Sequence, residues 1–310
     1  KIGSVLFFTM RKKRPTLFSQ KGIKMQEILE VLQDTAIDTI KLLPFLFITY
    51  LIMEYIEHKT SNKVKDVIKK SGKFGPLLGA IVGIFPQCGF SVSATNLYAG
   101  RVITLGTLIS VYLATSDEML PILLTEAVPA GTIFTILGIK LVLGIVAGFI
   151  IDFVVRMFRK EKVEEQEEKI EEICEHEHCH CEEGIVTSAI KHTSNITIFI
   201  FFITLVLNGI IAYIGEDTIA HFISKNVILG PIVAGLIGLI PNCASSVILT
   251  ELFISNVISM PVLISGVAVN AGVGLLVLFK TNKNVKENIK IVGILYLIGV
   301  LAGIILELFL

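Results

Sequence analysis

Charge is scarce in this chain of 310 residues: only 17% are Asp, Glu, Lys or Arg, where a soluble domain carries about 25%. So few charged side chains cannot cover a water-facing surface of this size, and the mean hydropathy of +0.77 agrees. Neither sign is in excess. The 27 basic and 27 acidic residues sum to a formal net charge of zero, which excludes a nucleic-acid binder driven by positive charge. No G-x-x-x-x-G-K-[ST] run occurs, so the chain carries no P-loop for a nucleoside triphosphate. No His stands beside Asp117 or beside the Pro-interrupted segments, which argues against a hydrolytic site and against an enzyme.

What charge there is clusters. Residues 74–155 hold only Arg101, Asp117, Glu118, Glu126, Lys140 and Asp152, whereas residues 156–191 hold six basic and eleven acidic ones. Long apolar tracts separated by short charged segments read as a polytopic, all-α membrane protein, and a soluble two-domain enzyme is the weaker reading. Apolar segments fall at about 39–56, 74–87, 90–100, 102–116, 119–139 and 139–155. A second set falls at about 194–215, 227–241, 244–255, 257–271, 273–279 and 289–310. The chain divides into an N-terminal segment (1–38), membrane repeat 1 (39–155), a cytoplasmic acidic Cys/His-rich loop (156–191) and membrane repeat 2 (192–310). Within the first of these, the apolar piece Ile2–Met10 is too short to span a bilayer. It also precedes the Arg11–Arg14 cluster, the reverse of the order in a signal peptide. Met25 is the expected native start, and 1–24 are left out of the topology.

The halves repeat each other. Under a shift of about 155 residues, Gly75-Pro76 falls on Gly230-Pro231, and Gly83-x-x-Pro86-x-Cys88 on Gly238-x-x-Pro241-x-Cys243. Ser91 falls on Ser246, Thr95 on Thr250, and Ala147-Gly148 on Ala302-Gly303. Coincident Gly, Pro, Cys and Ser in one register indicate a duplication. Charge orients the copies. Lys59–Lys73 carries six Lys against Asp66, while its partner Gly215–Asn226 carries Glu216, Asp217 and one Lys225. Lys-rich short loops stay cytoplasmic, so the two loops are expected on opposite sides and the halves in inverted topology. Inversion needs an odd number of crossings per half. Five fits the length, giving about ten transmembrane segments with broken helices.

The breaks carry the candidate chemistry. Pro86 and Pro241 interrupt their helices and free half-helix ends that can hold ions. Beside them lie Gln87, Cys88 and Ser91, then Asn242, Cys243 and Ser246, with Asn96 and Glu251 as a matched polar pair further on. The second break reads Thr115-Ser116-Asp117-Glu118 in one half and Asn270-Ala271-Gly272-Val273 in the other. An Asp at the centre of an apolar segment costs about 2.5–3.5 kcal/mol on insertion scales, tolerable where it binds a cation or carries protons. These eleven residues (Gln87, Cys88, Ser91, Asn96, Asp117, Glu118, Asn242, Cys243, Ser246, Glu251 and Asn270) form the expected substrate path. The loop adds Cys174, His176, His178, Cys179, His180 and Cys181, six metal-ligating side chains within eight residues. That density suits Zn, Cu, Ni or Co ions and a chelating tract rather than a structural finger.

The run GIFPQCGFSVSATNLYAGRVITLGTLISVYLATSDEMLPIL (Gly83–Leu123) resembles the bacterial ten-transmembrane heavy-metal exporter family, whose members are described as manganese transporters and which is related to arsenic-efflux permeases. The run GLIPNCASSVILTELFISNVIS (Gly238–Ser259) and the AVNAGVGLLVLFKTNKN run after it are similar to the same family. The resemblance implies an efflux permease of ten helices in the inner membrane. The combined expectation is a multi-pass secondary transporter that exports a divalent transition-metal ion, manganese or another heavy metal, by alternating access. It would need no cofactor, have the metal ion and the lipid bilayer as partners, bind no nucleic acid, and be compatible with a homo-oligomer. The alternatives are a permease for an anionic or organic solute such as an arsenical, and a non-transporting membrane metal sensor.

Overall fold

The computed structural model describes residues 74–158, 185–214 and 229–309, with most of 29–51. Among the described residues every regular element is an α-helix. Helix α1 comprises the helical residues between 29 and 51. The first half continues with α2 (Gly75–Gly83), α3 (Gly89–Ala99), α4 (Leu105–Ala114), α5 (Met119–Thr125) and α6 (Ala130–Phe158). The second half holds α7 (Ile185–Ile214), α8 (Leu229–Gly238), α9 (Cys243–Ile254), α10 (Met260–Val269), α11 (Gly274–Thr281) and α12 (Val285–Phe309). The start of α10 lies 155 residues after that of α4, and so does the start of α11 after that of α5 and of α12 after that of α6. Local chemistry repeats with them. Thr104 caps α4 by accepting from the Thr107 amide, and Ser259 caps α10 by accepting from Val262. The left-handed residues Arg101 (φ 58°) and Asn256 (φ 56°) occupy equivalent turns.

The division of apolar tracts near residue 139 does not occur. Helix α6 runs unbroken from Ala130 to Phe158, because Pro129 precedes it and no Pro lies within it; the break falls earlier, at 126–129. Helices α6 and α7 also reach a few residues into the charged segment 156–191 from either end.

Five stretches among the described residues are long and apolar enough to cross a bilayer: Leu105–Thr125, Ala130–Met157, Ala189–Gly209, Met260–Thr281 and Val285–Phe309. On α6, Phe134, Val142, Val146, Ile150 and Phe153 are exposed, and on α12 their counterparts Ile289, Leu297, Leu301, Ile305 and Leu308 are exposed as well. Matching apolar stripes on the outer face of long helices are stable where the surrounding solvent is hydrocarbon. The chain is a multi-pass α-helical membrane protein.

Packing register gives the helix directions. Gly75 sits against Thr107, Gly79 against Thr107 and Val111, and Gly83 against Val111 and Ala114. The two numbers rise together, so α2 runs parallel to α4. Helix α3 joins α4 through only residues 100–104 and so returns to the side where α2 began. Thus α2 and α3 are the arms of a hairpin with residues 84–88 at its tip. In the second half, Ser265 donates to the Pro231 carbonyl at 2.7 Å and Gly238 packs on Gly266 and Val269, so α8 and α9 form the equivalent hairpin. Arms of 9–12 residues reach about 14–18 Å, half of a hydrocarbon core of about 30 Å. Each half therefore has five apolar segments, as its length suggests, and two of the five are the short arms of a hairpin.

Arg101, just before α4, grips Glu287 at the start of α12 with both guanidinium nitrogens (2.9 and 3.1 Å), so α4 and α12 start on one side. Gly299 packs on Ser265 and Val269, and Gly303 on Pro261 and Ser265, so α12 runs antiparallel to α10. Helix α10 consequently runs opposite to α4, its own counterpart.

Helices pack in lipid through close approach at small residues, since apolar burial supplies no net drive there. A Cβ on Gly148 of α6 would lie 2.7 Å from the Gly106 carbonyl of α4 and 2.7 Å from the Pro76 side chain of α2. Gly138, on the same helix, has nothing within 4 Å. We expect Gly148→Leu to destabilise the detergent-solubilised protein by about 1–3 kcal/mol, the usual cost of overpacking. Gly138→Leu should leave the melting temperature unchanged or raise it. Equal melting temperatures for the two variants would refute this three-helix junction.

Candidate functional site

Of the six charges in residues 74–155, three have local explanations. Arg101 is paired with Glu287, which also accepts from the Tyr98 hydroxyl. Asp152 caps α4, accepting from the Gly106 amide at 2.8 Å and from the Thr104 hydroxyl at 2.7 Å, where a helix N-terminus favours negative charge. Glu126 is exposed at the end of α5. Asp117, Glu118 and Lys140 remain, and they mark the middle of the molecule.

Four interruptions converge there: the two hairpin tips, the α4–α5 break (115–118) and the α10–α11 break (270–273). Their meeting follows from cross-packing between halves, because α11 lies on α3 and α5 lies on α9. Thr95 of α3 helps hold the first contact, hydrogen-bonded to the Tyr112 hydroxyl at 2.5 Å and to the Gly274 carbonyl at 3.2 Å. At the centre Cys88 and Cys243, both free and buried, lie close together in one packed cluster. Gly272 lies against Asp117 and Cys88. Its φ of +54° and the closeness of the Asp117 carboxylate to its Cα exclude any larger residue.

Asp117 is 5% exposed, and neither carboxylate oxygen has a hydrogen-bond partner. Buried polar groups are normally satisfied, so a bare carboxylate in an apolar core stands out. Its nearest compensation is Lys140, close enough for the charges to attract. Lys140 is completely buried. Its ammonium donates to the Thr115 carbonyl at 2.5 Å and to the Val267 carbonyl at 2.7 Å. These carbonyls belong to the C-terminal ends of α4 and α10, which the backbone ladder leaves unpaired and which carry partial negative charge. Lys140 thus bridges the halves, one cation between two half-helix ends.

The expected substrate residues separate into groups. Cys88, Cys243 and Asp117 meet at the centre. Asn270 borders them, its side chain accepting from the Gly272 amide at 2.7 Å and donating to Ser245 at 3.1 Å. Asn242 is buried and donates to Asn208 of α7 at 2.5 Å, and Asn208 in turn donates to Thr35 of α1 at 2.9 Å. Glu118 turns away from its neighbour and is partly exposed, 3.7 Å from Lys41, which also pairs with Asp38 at 3.4 Å. Gln87, half-buried, donates to the Lys41 carbonyl at 3.5 Å. Ser91 and Ser246 spend their hydroxyls on the Cys88 and Cys243 carbonyls, 2.8 Å each, and secure the first turns of α3 and α9. Asn96 and Glu251 lie eight residues beyond the cysteines, about 12 Å along their helices. Asn96 is buried, accepting from Tyr50 at 3.3 Å, and Glu251 is half-buried. The cluster Cys174, His176, His178, Cys179, His180 and Cys181 lies outside the described residues. Among the described residues no group of three or more His, Cys, Asp or Glu is arranged to hold a metal ion.

The sequence reading passed over Lys140, Lys41, Asn208 and Thr35. A signal existed for the first: a lone Lys within the otherwise apolar stretch 136–151 is a functional candidate by default. Asn208 and Thr35 matter only through contacts made across the fold.

A family model described as "putative, 10TM heavy-metal exporter" matches residues 24–216, more than half of the chain. No curated protein and no solved structure matches it.

Proposed function

The chain belongs to the 10TM heavy-metal exporter family, and on that premise we propose that it is an inner-membrane secondary transporter. It carries a divalent transition-metal ion, manganese or a softer heavy metal, out of the cytoplasm by alternating access. It is a carrier and not an enzyme. The observation that carries this reading is the meeting of both hairpin tips and both helix breaks around an unpartnered Asp117. Broken helices from two repeats that meet in the interior are how secondary transporters build a substrate site. The opposite course of α4 and α10 supports an inverted repeat, in which rocking of one half against the other exposes the centre to each side in turn. The half-exposed Asp38, Lys41 and Glu118 form a polar approach to it. The tract Cys174–Cys181 captures metal on the cytoplasmic side and is dispensable for transport.

Cellular metal content, measured for several transition metals in a strain lacking the protein and in the complemented strain, tests this. Retention of at least one metal should rise in the deletion strain and fall on complementation. Unchanged content of every metal would refute export. Removing Cys174–Cys181 should leave efflux largely intact, whereas a non-transporting sensor would lose all effect.

A further inference from the structure

We propose that Cys88 and Cys243 together hold a thiophilic d10 metal ion, such as Ag(I), Cu(I), Hg(II) or Cd(II), in a two-coordinate site made of one sulfur from each half. The proposal rests on the transport reading above and names its substrate class. Cys88 is 7% and Cys243 4% exposed, and the two pack close together in one buried cluster. They occupy equivalent positions of the two hairpins, so an ion between them meets the same donor from each half. Each sulfur sits at the N-terminal end of a helix, Cys88 as the cap of α3 and Cys243 as the first residue of α9. The partial positive charge there favours an anionic ligand.

Ligand number and softness select the ion. Manganese prefers a shell of six oxygens, and zinc takes four ligands. Among the described residues no set of three or more His, Cys, Asp or Glu converges, so no shell rich in carboxylate or imidazole is offered. Two thiolates in near-opposition satisfy a d10 ion completely, and sulfur is the ligand such ions prefer. Binding forms two metal–sulfur bonds and releases the two thiol protons to water, with no electron transferred. The unpartnered Asp117 meets Cys88 at Gly272 and places a carboxyl group beside the pair.

The chain has five cysteines, so replacing Cys174, Cys179 and Cys181 with Ser leaves Cys88 and Cys243 as its sole thiols. This full-length variant is titrated in detergent with Hg(II) and Cd(II), and with Mn(II) as control, reading the sulfur-to-metal charge-transfer absorbance and the count of alkylatable thiols. One Hg(II) per chain should protect both thiols, and Mn(II) should protect neither. Adding Cys88→Ala or Cys243→Ala should weaken Hg(II) or Cd(II) binding at least 100-fold, with Cys→Ser versions and a monodisperse gel-filtration profile confirming the fold. Independent reaction of the two thiols, binding unchanged in either single variant, or capture of an organoarsenical but of no metal ion would each overturn the proposal. Vesicles distinguish the levels. Transport of Mn(II) that is indifferent to both cysteines refutes this site and leaves the transport reading standing, whereas transport of no metal at all refutes that reading as well.

Discussion

Asp117→Asn should abolish metal transport and leave the protein folded. Both oxygens of Asp117 lack hydrogen-bond partners and the residue is 5% exposed. A carboxylate at the centre of a membrane segment costs about 2.5–3.5 kcal/mol on insertion scales. No helix cap or neighbouring donor repays that cost, so the residue serves function rather than the fold. Asn has almost the same shape without the charge. The variant should stay folded, at a smaller stability cost than loss of Lys140, because the ammonium keeps the Thr115 and Val267 carbonyls, while metal flux into reconstituted vesicles falls at least tenfold, a factor of ten corresponding to about 1.4 kcal/mol. Glu118→Gln should cost much less, because Glu118 is partly solvated and faces Lys41. A carrier of anionic or organic solutes would retain its flux in Asp117→Asn, so undiminished transport in that variant excludes a cation site here.

The second large effect is on stability. Lys140→Leu, which installs the residue found at the equivalent position Leu295, should sharply lower the melting temperature of the folded protein. Lys140 supplies the donor for the Thr115 and Val267 carbonyls and is the one nearby cation that attracts Asp117. Removing one member of a buried charge pair typically costs about 3–5 kcal/mol, chiefly because the other charge is left uncompensated. Adding Asp117→Asn to Lys140→Leu should therefore recover part of the loss, by about 1–3 kcal/mol of coupling, as measured by thermal unfolding in detergent. If the double variant is as unstable as the sum of the two singles, the residues are not coupled and Lys140 acts only on the two carbonyls. The second repeat needs no such cation. Its break carries Gly272 where the first carries Asp117, and Leu295 stands where the first has Lys140.

Much of this arrangement could be read along the chain. Proline at 86 and 241, and polar residues at 115–118 and 270–273, interrupt apolar tracts, and all four breaks occur where those residues stand. The Gly, Pro, Cys and Ser register between the halves was equally legible, since a duplicated fold retains the residues that its turns and close contacts require. The nature of the α2–α3 segment was not. A Pro-interrupted tract of 25 residues, 75–99, has the same hydropathy whether it crosses the bilayer or turns back halfway. Only the parallel contact of α2 with α4, at Gly75, Gly79 and Gly83, decides between them. Asp117 and Glu118 also read as one acidic pair, yet adjacent positions leave the backbone in different directions: one faces the core and the other a solvated lysine.

Composition and pattern by themselves determined that this chain lives in a bilayer, that it is made of two related halves, and where the four central interruptions fall. Hydrophobic runs, helix-breaking residues and repeat register are local properties, and each acts within a few turns of its own position. Tertiary structure alone decided which breaks face one another, that Cys88 and Cys243, 155 residues apart in the chain, share one buried cluster, and that Lys140 closes the ends of two half-helices. Those facts depend on the direction and the partner of each helix, and the helices are uniformly apolar outside, so no periodicity along the sequence records them.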